Sequence, residues 1–282
     1  MAAPRRDTRG IVAAPELLAR VRFRRRSPAL PLRPYVEHYW LIDWDLPEPY
    51  TSQVVPHPCV NVVFQRHADR PAFGEVAGVG LELFSQTLVG RGWVCGVQFR
   101  PGGFRPFAPE RPVTDWTGRR LPPAAVFAAP PGPDAHAEVA DAVADAARAV
   151  VQPADEDARV AALDAFLTPL LRADPRVLAQ AGLAMRLADR IRTDRTIRRV
   201  ADFARAEGMS VRALQRLFAG YVGVSPKWVL LRYRIHEALE RAAADAEVDW
   251  AALAAELGYS DQAHLVRDVT ATVGVPPTAY PR

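Results

Sequence analysis

Two short stretches near the end of the chain carry side chains that can hydrogen-bond to the edges of nucleotide bases. The first combines two arginines with a glutamine, and the second combines a glutamine, a histidine and an arginine: Arg212, Gln215 and Arg216, then Gln262, His264 and Arg267. An arginine fork matches O6 and N7 of guanine, and a glutamine amide matches N6 and N7 of adenine. Both stretches therefore have the chemistry to read a DNA duplex, provided that a helix presents them on one face.

The two stretches belong to a sequence pattern that occurs twice. Phe203-Ala204 and Gly208 recur as Leu253-Ala254 and Gly258, at an offset of 50 residues. In each copy a small alanine precedes the glycine by four residues. Alanine lets two helices cross closely, and glycine can adopt the positive φ that a tight turn between them needs. We therefore predict two helix-turn-helix units.

Capping and periodicity predict which side chains of each second helix face outward. Ser210 and Asp261 occupy N-cap positions, where a side-chain oxygen accepts a backbone N–H of the helix. Leu214 and Phe218 belong to the buried stripe of the first helix, and Leu265 belongs to that of the second. The N-terminal half of such a helix enters the major groove. The contacts predicted on the two helices are Ser210, Val211, Arg212, Gln215 and Arg216, and Gln262, Ala263, His264 and Arg267.

The helix that connects the two units supplies further candidates. Ser225 and Pro226 suit its N-cap and first turn. Lys227 lies near its N-terminus, where a phosphate contact is favoured, and Arg232 and Arg234 are candidates for the same role.

Charge is distributed unevenly between the two units. Residues 190–241 hold 12 basic and 5 acidic side chains, a surplus of +7, whereas residues 242–282 hold 2 basic and 6 acidic ones, a deficit of −4. Because phosphate neutralisation dominates nucleic-acid affinity, the first unit is expected to contribute most of the binding.

The N-terminal part has the period-two pattern of half-buried strands. From about residue 30 to 110, short segments rich in aromatic and β-branched residues are separated by prolines and glycines. Trp40, Ile42 and Trp44 alternate with other residues, as do Trp93 and Phe99 farther along. This pattern predicts an antiparallel sandwich or small barrel.

The middle of the chain has helical periodicity. Residues 122–134 are rich in proline and are predicted to form a linker, and residues 135–151 and 155–172 are predicted to be helical. These helices could pack on the β-rich part or form a dimer interface. Pro175 is expected to open a long helix that leads into the first repeat.

At the residues of the two repeats, the chain resembles the AraC/XylS family of bacterial transcription regulators. The likeness covers about residues 190–282 and includes Gly223-Val224-Ser225-Pro226 and Gly258-Tyr259-Ser260-Asp261-Gln262-Ala263-His264-Leu265. It implies two helix-turn-helix units inserted into successive major-groove faces, usually with DNA bending. Val269 stands where the family usually has phenylalanine, and the acidic character of the second unit lowers its expected share of the affinity.

The N-terminal half resembles a regulatory domain that is often fused to such DNA binders. The matching segments are Tyr35-Val36-x-x-Tyr39-Trp40, Val55 to Phe64, and Gly96 to Gly103. The resemblance implies a cupin-like β-barrel sensor whose ligand the sequence does not identify. The expected partners are double-stranded operator DNA, RNA polymerase, a small-molecule effector and a second copy of the chain.

The predicted fold class is α+β multidomain. A β-rich, cupin-like barrel domain (residues 1–125) is followed by a helical connector (126–188) that could dimerise, and then by an all-α domain with two helix-turn-helix units (189–282). The expected function is that of a sequence-specific transcription regulator that responds to an effector.

Aromatic residues of the predicted barrel are candidates for an effector pocket, although such residues also suit a plain hydrophobic core. We predict Trp40, Trp44, Trp93 and Phe99 as its lining, with Arg100 and the following Pro-Gly-Gly turn as an anion contact. His38, His57 and His67 with Asp43 or Asp45 would suit a metal, but no two of these histidines have ligand spacing, so no metal or other cofactor is expected.

Composition limits the other function classes. The 282 residues include only two cysteines, Cys59 and Cys95, which excludes a disulfide framework and the cysteine-ligated zinc of a DNA-repair methyltransferase. No nucleophile elbow or phosphate loop indicates a hydrolase, so no catalytic residue is predicted. No apolar stretch is long enough to span a bilayer and no secretory signal is visible, so a cytoplasmic location is expected. A protein-binding adaptor remains an alternative.

Overall fold

The computed structural model describes residues 8–68, 70–127, 133–151, 155–244 and 247–280. The N-terminal half is built on one antiparallel sheet in the order β1-β2-β5-β3-β4-β6. The strands are β1 (Val21–Arg26), β2 (Val36–Val54), β3 (Asn61–His67), β4 (Phe73–Ala77), β5 (Phe84–Phe99) and β6 (Arg120–Leu121). The β-rich prediction is confirmed, in the form of an antiparallel sheet whose edge strands β1 and β6 do not pair with each other within the described residues.

Alternation along the strands gives the sheet two different faces. In the pairing of β2 with β5, Trp40 lies opposite Gly96, Trp44 opposite Gly92, and Trp93 opposite Asp43. Side chains of directly paired residues lie on the same face, and successive residues alternate. Trp40 and Trp44 therefore lie on one face of the sheet and Trp93 on the other.

Helices from the middle of the chain cover the second face. Helix α1 (Ala14–Arg20) precedes β1, and α2 (Ala124–Phe127), α3 (Pro133–Val151) and α4 (Glu156–Leu167) follow the sheet. Leu163 and Leu167 of α4 are fully buried in the same core as Phe64 and Phe99. At the edge of this contact the hydroxyl of Tyr39 donates a hydrogen bond to Asp164 (2.7 Å).

The predicted linker at 122–134 is wrong over its described part. Residues 124–127 form α2, and its Val126 and Phe127 are buried in the sheet-and-helix core. Residues 128–132 lie outside the described residues. The prolines of this stretch indicated an irregular segment. Burial of the two apolar side chains of α2 on the sheet is favourable, however, and it holds this stretch in the core.

The C-terminal half contains both predicted helix-turn-helix units. Its helices are α5 (Pro175–Thr193), α6 (Val200–Ala206), α7 (Val211–Tyr221), α8 (Pro226–Ala244), α9 (Trp250–Glu256) and α10 (Gln262–Val273). Helices α6 and α7 form the first unit, α9 and α10 form the second, and α8 connects them. The turns contain Gly208 and Gly258 at φ values of 66° and 77°, as the glycine argument requires.

Residues from the N-terminal half complete both helical cores. Val79 packs with Phe203, Leu214 and Phe218 of the first unit. Val12 and Val55 pack into the core of the second unit. The two halves therefore meet through shared hydrophobic contacts as well as polar ones. Among the described helices, none is both long and apolar enough to cross a bilayer.

Candidate nucleic-acid interface and cavity

Helix α7 presents its polar face to solvent as predicted. The Ser210 hydroxyl caps the helix by accepting the backbone N–H of Ala213 (3.1 Å). Leu214 and Phe218 are fully buried, which leaves Arg212, Gln215 and Arg216 exposed together with Val211. Neither arginine has a hydrogen bond or ion pair to another residue in the described part of the chain. Two cations on one helical face are thus available to an external partner.

Helix α10 presents a similar face, but its histidine and arginine already make internal contacts. Asp261 caps the helix by accepting the backbone N–H of His264 (2.8 Å). The His264 ring lies 3.3 Å from the Ser260 hydroxyl and 3.8 Å from a carboxylate oxygen of Asp268. Arg267 donates through Nε to the carbonyl of Ala263 (3.3 Å). Gln262 and Ala263 are exposed. His264 and the Nε group of Arg267 therefore have internal contacts that compete with binding elsewhere.

The cations of α8 are placed differently from one another. Lys227 is exposed near the helix N-terminus, and its phosphate contact stays a prediction. Arg234 donates to backbone carbonyls of Gly258 and Arg198, at 3.4 and 3.3 Å. Arg232 is only 4% exposed, and its guanidinium donates to the carbonyl of Leu81 (2.8 Å). The predicted phosphate contact of Arg232 is therefore wrong for this arrangement, because its face of α8 packs against the N-terminal half and is not exposed.

Sequence reasoning did not single out Arg198, which lies beside the turn of the second unit. Its Cγ would be 3.3 Å from a Cβ placed on Gly258, and the residue is exposed. Arg198 adds a cation next to the acidic second unit. Its only signal in the sequence was its membership of the basic segment 190–241.

A cavity of about 550 Å³ lies on the first face of the sheet. Trp40 and Trp44 line it, as predicted, together with residues from β1, β3, β4 and β5. Trp93 and Phe99 do not line it; they are buried on the opposite face beneath the helices. Arg100 is also outside the cavity and forms an ion pair with Glu37 (3.4 Å). The pocket prediction combined residues from both faces because the strand register was not known.

Among the described residues, the histidines of this half belong to no cluster of candidate metal ligands, and both cysteines are buried. His38, His57 and His67 all line the cavity, yet no group of three or more candidate metal ligands occurs in the described residues. Both cysteines are buried and free, and burial raises the pKa of each thiol to about 12. Thiols with so high a pKa are poor nucleophiles near neutral pH.

The wall of the cavity is also the surface on which α8 rests. Three residues at four-residue spacing on α8, Arg232, His236 and Glu240, each contact a residue of that wall. Arg232 bonds to the Leu81 carbonyl, the His236 ring stacks on the His57 ring at 4.3 Å between centroids, and Glu240 pairs with Arg9 (2.6 Å). We call this set of six residues the seam.

The seam holds more positive than negative groups and excludes water from its centre. His236 is 1% exposed, and burial, followed by the nearby His57 and Arg232, holds its pKa well below the usual range. Burial lowers the pKa of Arg232 to about 10. The His236 Nδ1 and Arg232 Nη1 atoms have no hydrogen-bond partner among the described residues. A buried polar atom without a partner costs free energy, so these two atoms reduce the stability of the seam.

Comparison with known proteins gives matches for both halves. Residues 203–282 match the model of a helix-turn-helix domain, which is of the AraC type. Residues 24–122 match a domain of unknown function, DUF6597. A search of curated proteins returned no significant match.

Among solved structures, the chain is similar to ToxT from Vibrio cholerae. ToxT from strain O395 bound to (E)-4-(8-methylnaphthalen-1-yl)but-3-enoic acid is 12% identical with a TM-score of 0.42, over 91% of this chain and 97% of that one. ToxT from strain O395 without a named ligand is 12% identical with a TM-score of 0.39, over 85% and 95%. ToxT from strain SCE256 bound to an unsaturated fatty acid is 10% identical with a TM-score of 0.37, over 85% and 92%.

Proposed function

We propose that this chain, which carries an AraC-type helix-turn-helix domain over residues 203–282, is a transcription regulator that binds double-stranded DNA sequence-specifically. The observation that carries the proposal is the pair of helices α7 and α10, each capped, amphipathic and exposed on its polar face. Helix α7 supplies most of the affinity and base discrimination, through Arg212, Gln215 and Arg216. Lys227 contacts phosphate, and α10 contributes through Gln262, Ala263, His264 and Arg267.

The N-terminal half regulates this binding in response to a small effector held in the cavity. The seam supports this proposal because the same wall lines the cavity and holds α8. A ligand that displaces His57 or Leu81 changes how α8 is held, and with it the relative placement of the two recognition helices. An effector can shift this equilibrium only by its difference in affinity between the two arrangements.

The remaining partners follow from this role. RNA polymerase and a second copy of the chain are proposed partners, and since the target is chromosomal DNA, we place the protein in the cytoplasm. No enzymatic activity is proposed. We propose a sensing domain over residues 1–125 and a DNA-binding domain over residues 189–282. The proposed connector, residues 126–188, contains α3 and α4, whose buried side chains belong to the core of the sensing domain.

The test is a selection of binding sites from a random duplex library with the full chain at low salt, followed by affinity measurements on the selected sequence. We expect one enriched motif, and we expect its affinity to fall with a steep dependence on salt concentration. Arg111→Ala is a matched control, because Arg111 is an exposed arginine of the N-terminal half, outside the proposed interface. Enrichment of no motif would contradict the proposal.

A further inference from the structure

We propose that the cavity binds a planar aromatic molecule that carries an uncharged hydrogen-bonding group, such as a carboxamide or hydroxyl, at one end. The inference rests on the proposed function, because it names the chemical class of the effector. Three features of the cavity carry it: an aromatic floor, a row of polar side chains at one end, and a wall on which Arg9 and Arg120 are paired with carboxylates.

The floor is made by two tryptophans that lie flat on the sheet. A Cβ built on Gly96 would lie 2.0 Å from the Trp40 indole, and one built on Gly92 would lie 2.2 Å from the Trp44 indole. The two glycines of β5 therefore make room for the two indoles of β2, which cover the strand next to them. Both indoles line the cavity. Flat aromatic rings favour offset stacking with another aromatic ring, beyond the gain from burial alone.

The polar row crosses three neighbouring strands at one end of this floor. In the sheet register Gln98 of β5 lies between His38 of β2 and Asn61 of β3, and all three line the cavity. The Gln98 amide has no hydrogen bond to the described residues. Asn61 has only long contacts, 3.4 Å to the Trp40 indole nitrogen and 3.8 Å to the Cys59 sulfur. Side-chain amides both donate and accept, so a ligand group that does both is the best complement.

The charge of the wall favours a neutral ligand. Arg9 is paired with Glu240 (2.6 Å), and Arg120 makes two hydrogen bonds to Glu75 (2.9 and 2.6 Å). Arg119 donates to the carbonyl of Asp115 (3.2 Å). Because carboxylates already balance the charges of Arg9 and Arg120, these two groups attract a further carboxylate less strongly, and an uncharged polar group is the better match. A cavity of about 550 Å³ is also within the range that holds drug-sized ligands.

The test uses three probes and calorimetric titration of the full chain. Naphthalene-2-carboxamide has both the ring and the polar group, its fully saturated decalin analogue lacks the aromatic ring, and naphthalene lacks the amide. We expect the aromatic amide to bind about 3- to 10-fold more tightly than its saturated analogue. Naphthalene should also bind more weakly, because it leaves the amides of Gln98 and Asn61 without a partner. Equal or tighter binding of the saturated amide would overturn the proposal, as would the absence of binding by all three probes.

Variants locate the site. Trp40→Leu should remove the preference for the aromatic amide, and Gln98→Leu should remove the preference for the amide over naphthalene. Trp250→Leu is the matched control, because Trp250 lies at the start of α9 and outside the cavity. Gly96→Ala is a second variant that pushes the Trp40 indole into the cavity while keeping its chemistry, and it should weaken all three probes. Unchanged probe affinities in Trp40→Leu and Gly96→Ala, with both variants folded, would overturn the proposal.

The same preparations are tested for binding to the selected DNA sequence. If specific DNA binding is retained while no probe binds, the ligand class is wrong and the proposed function stands. If the probes bind as expected and no DNA sequence is preferred, the proposed function is wrong.

Discussion

Replacing one arginine on each recognition helix should cost unequal amounts of DNA-binding free energy. Arg216 on α7 is exposed and has no partner within the described chain, so its guanidinium can bind a base edge without losing an internal contact. A bidentate contact of this kind contributes about 1–3 kcal/mol of base discrimination. We therefore expect Arg216→Ala to weaken binding to the selected site by about 1–3 kcal/mol.

Arg267 on α10 starts from a different state. Its Nε already donates to the Ala263 carbonyl at 3.3 Å, and a hydrogen bond of this type contributes about 0.5–1.5 kcal/mol net. A DNA contact that uses Nε gives up that bond, and the acidic segment 242–282 adds a local repulsion between the protein and phosphate. Arg267→Ala should therefore cost about 1 kcal/mol less than Arg216→Ala.

The assay is fluorescence anisotropy of a labelled duplex carrying the selected site, at several salt concentrations, with Arg111→Ala as control. Arg216→Ala should also reduce the ratio of specific to non-specific affinity, because a lost base contact relaxes sequence preference whereas a lost phosphate contact weakens all sequences alike. Equal losses for Arg216→Ala and Arg267→Ala would refute the argument from charge and internal bonding. An unchanged specificity ratio in Arg216→Ala would show that Arg216 binds phosphate.

Three further predictions concern the seam and the core. The free energy of unfolding should fall as the pH drops below about 6.5, because His236 then takes up a proton in the unfolded chain but resists it in the folded seam, where it faces His57, Arg232, Arg9 and Glu240. Denaturant unfolding at pH 7.5 and 5.5 measures this loss, which should be smaller in His236→Phe. An equal loss in the variant would contradict the assignment. Glu240→Gln removes the ion pair with Arg9 and should tighten DNA binding by up to about fivefold, because α8 is then held less firmly by the N-terminal half. The control is Glu237→Gln, whose carboxylate pairs with Arg195 (2.8 Å) away from the seam, and it should not tighten DNA binding. Leu163→Ala should lower the unfolding free energy by about 2–5 kcal/mol because Leu163 is fully buried between α4 and the sheet; the same loss for Leu30→Ala, at a residue 71% exposed, would refute the packing argument.

The helix-turn-helix units could be predicted because their signals are local. Ser210 and Asp261 cap helices within three residues of themselves, and Gly208 and Gly258 adopt positive φ in turns that their own neighbours define. The exposed set on α7 followed from the 3.6-residue period alone. The strands were also identifiable from their period of two, although the pattern does not say which strands are neighbours.

The pocket lining could only be half predicted. Alternation along β2 correctly grouped Trp40 with Trp44, and alternation along β5 correctly grouped Trp93 with Phe99. Whether the two groups share a face depends on the register between β2 and β5, in which Trp93 lies opposite Asp43. A shift of that register by one residue would have exchanged the faces, and no local signal in either strand sets it.

The double helix-turn-helix module, its caps and the outward arginines of α7 follow from the amino-acid sequence alone, because each of these depends on residues within a few turns of one helix. The burial of Arg232 and the stacking of His57 on His236, a residue of α8 from the other half of the chain, follow instead from the tertiary structure. It also decided that one wall serves both the cavity and α8. These contacts depend on how the two halves pack together through Val12, Val55 and Val79. The residues that meet there are far apart along the chain, so no periodic sequence pattern predicts their contact.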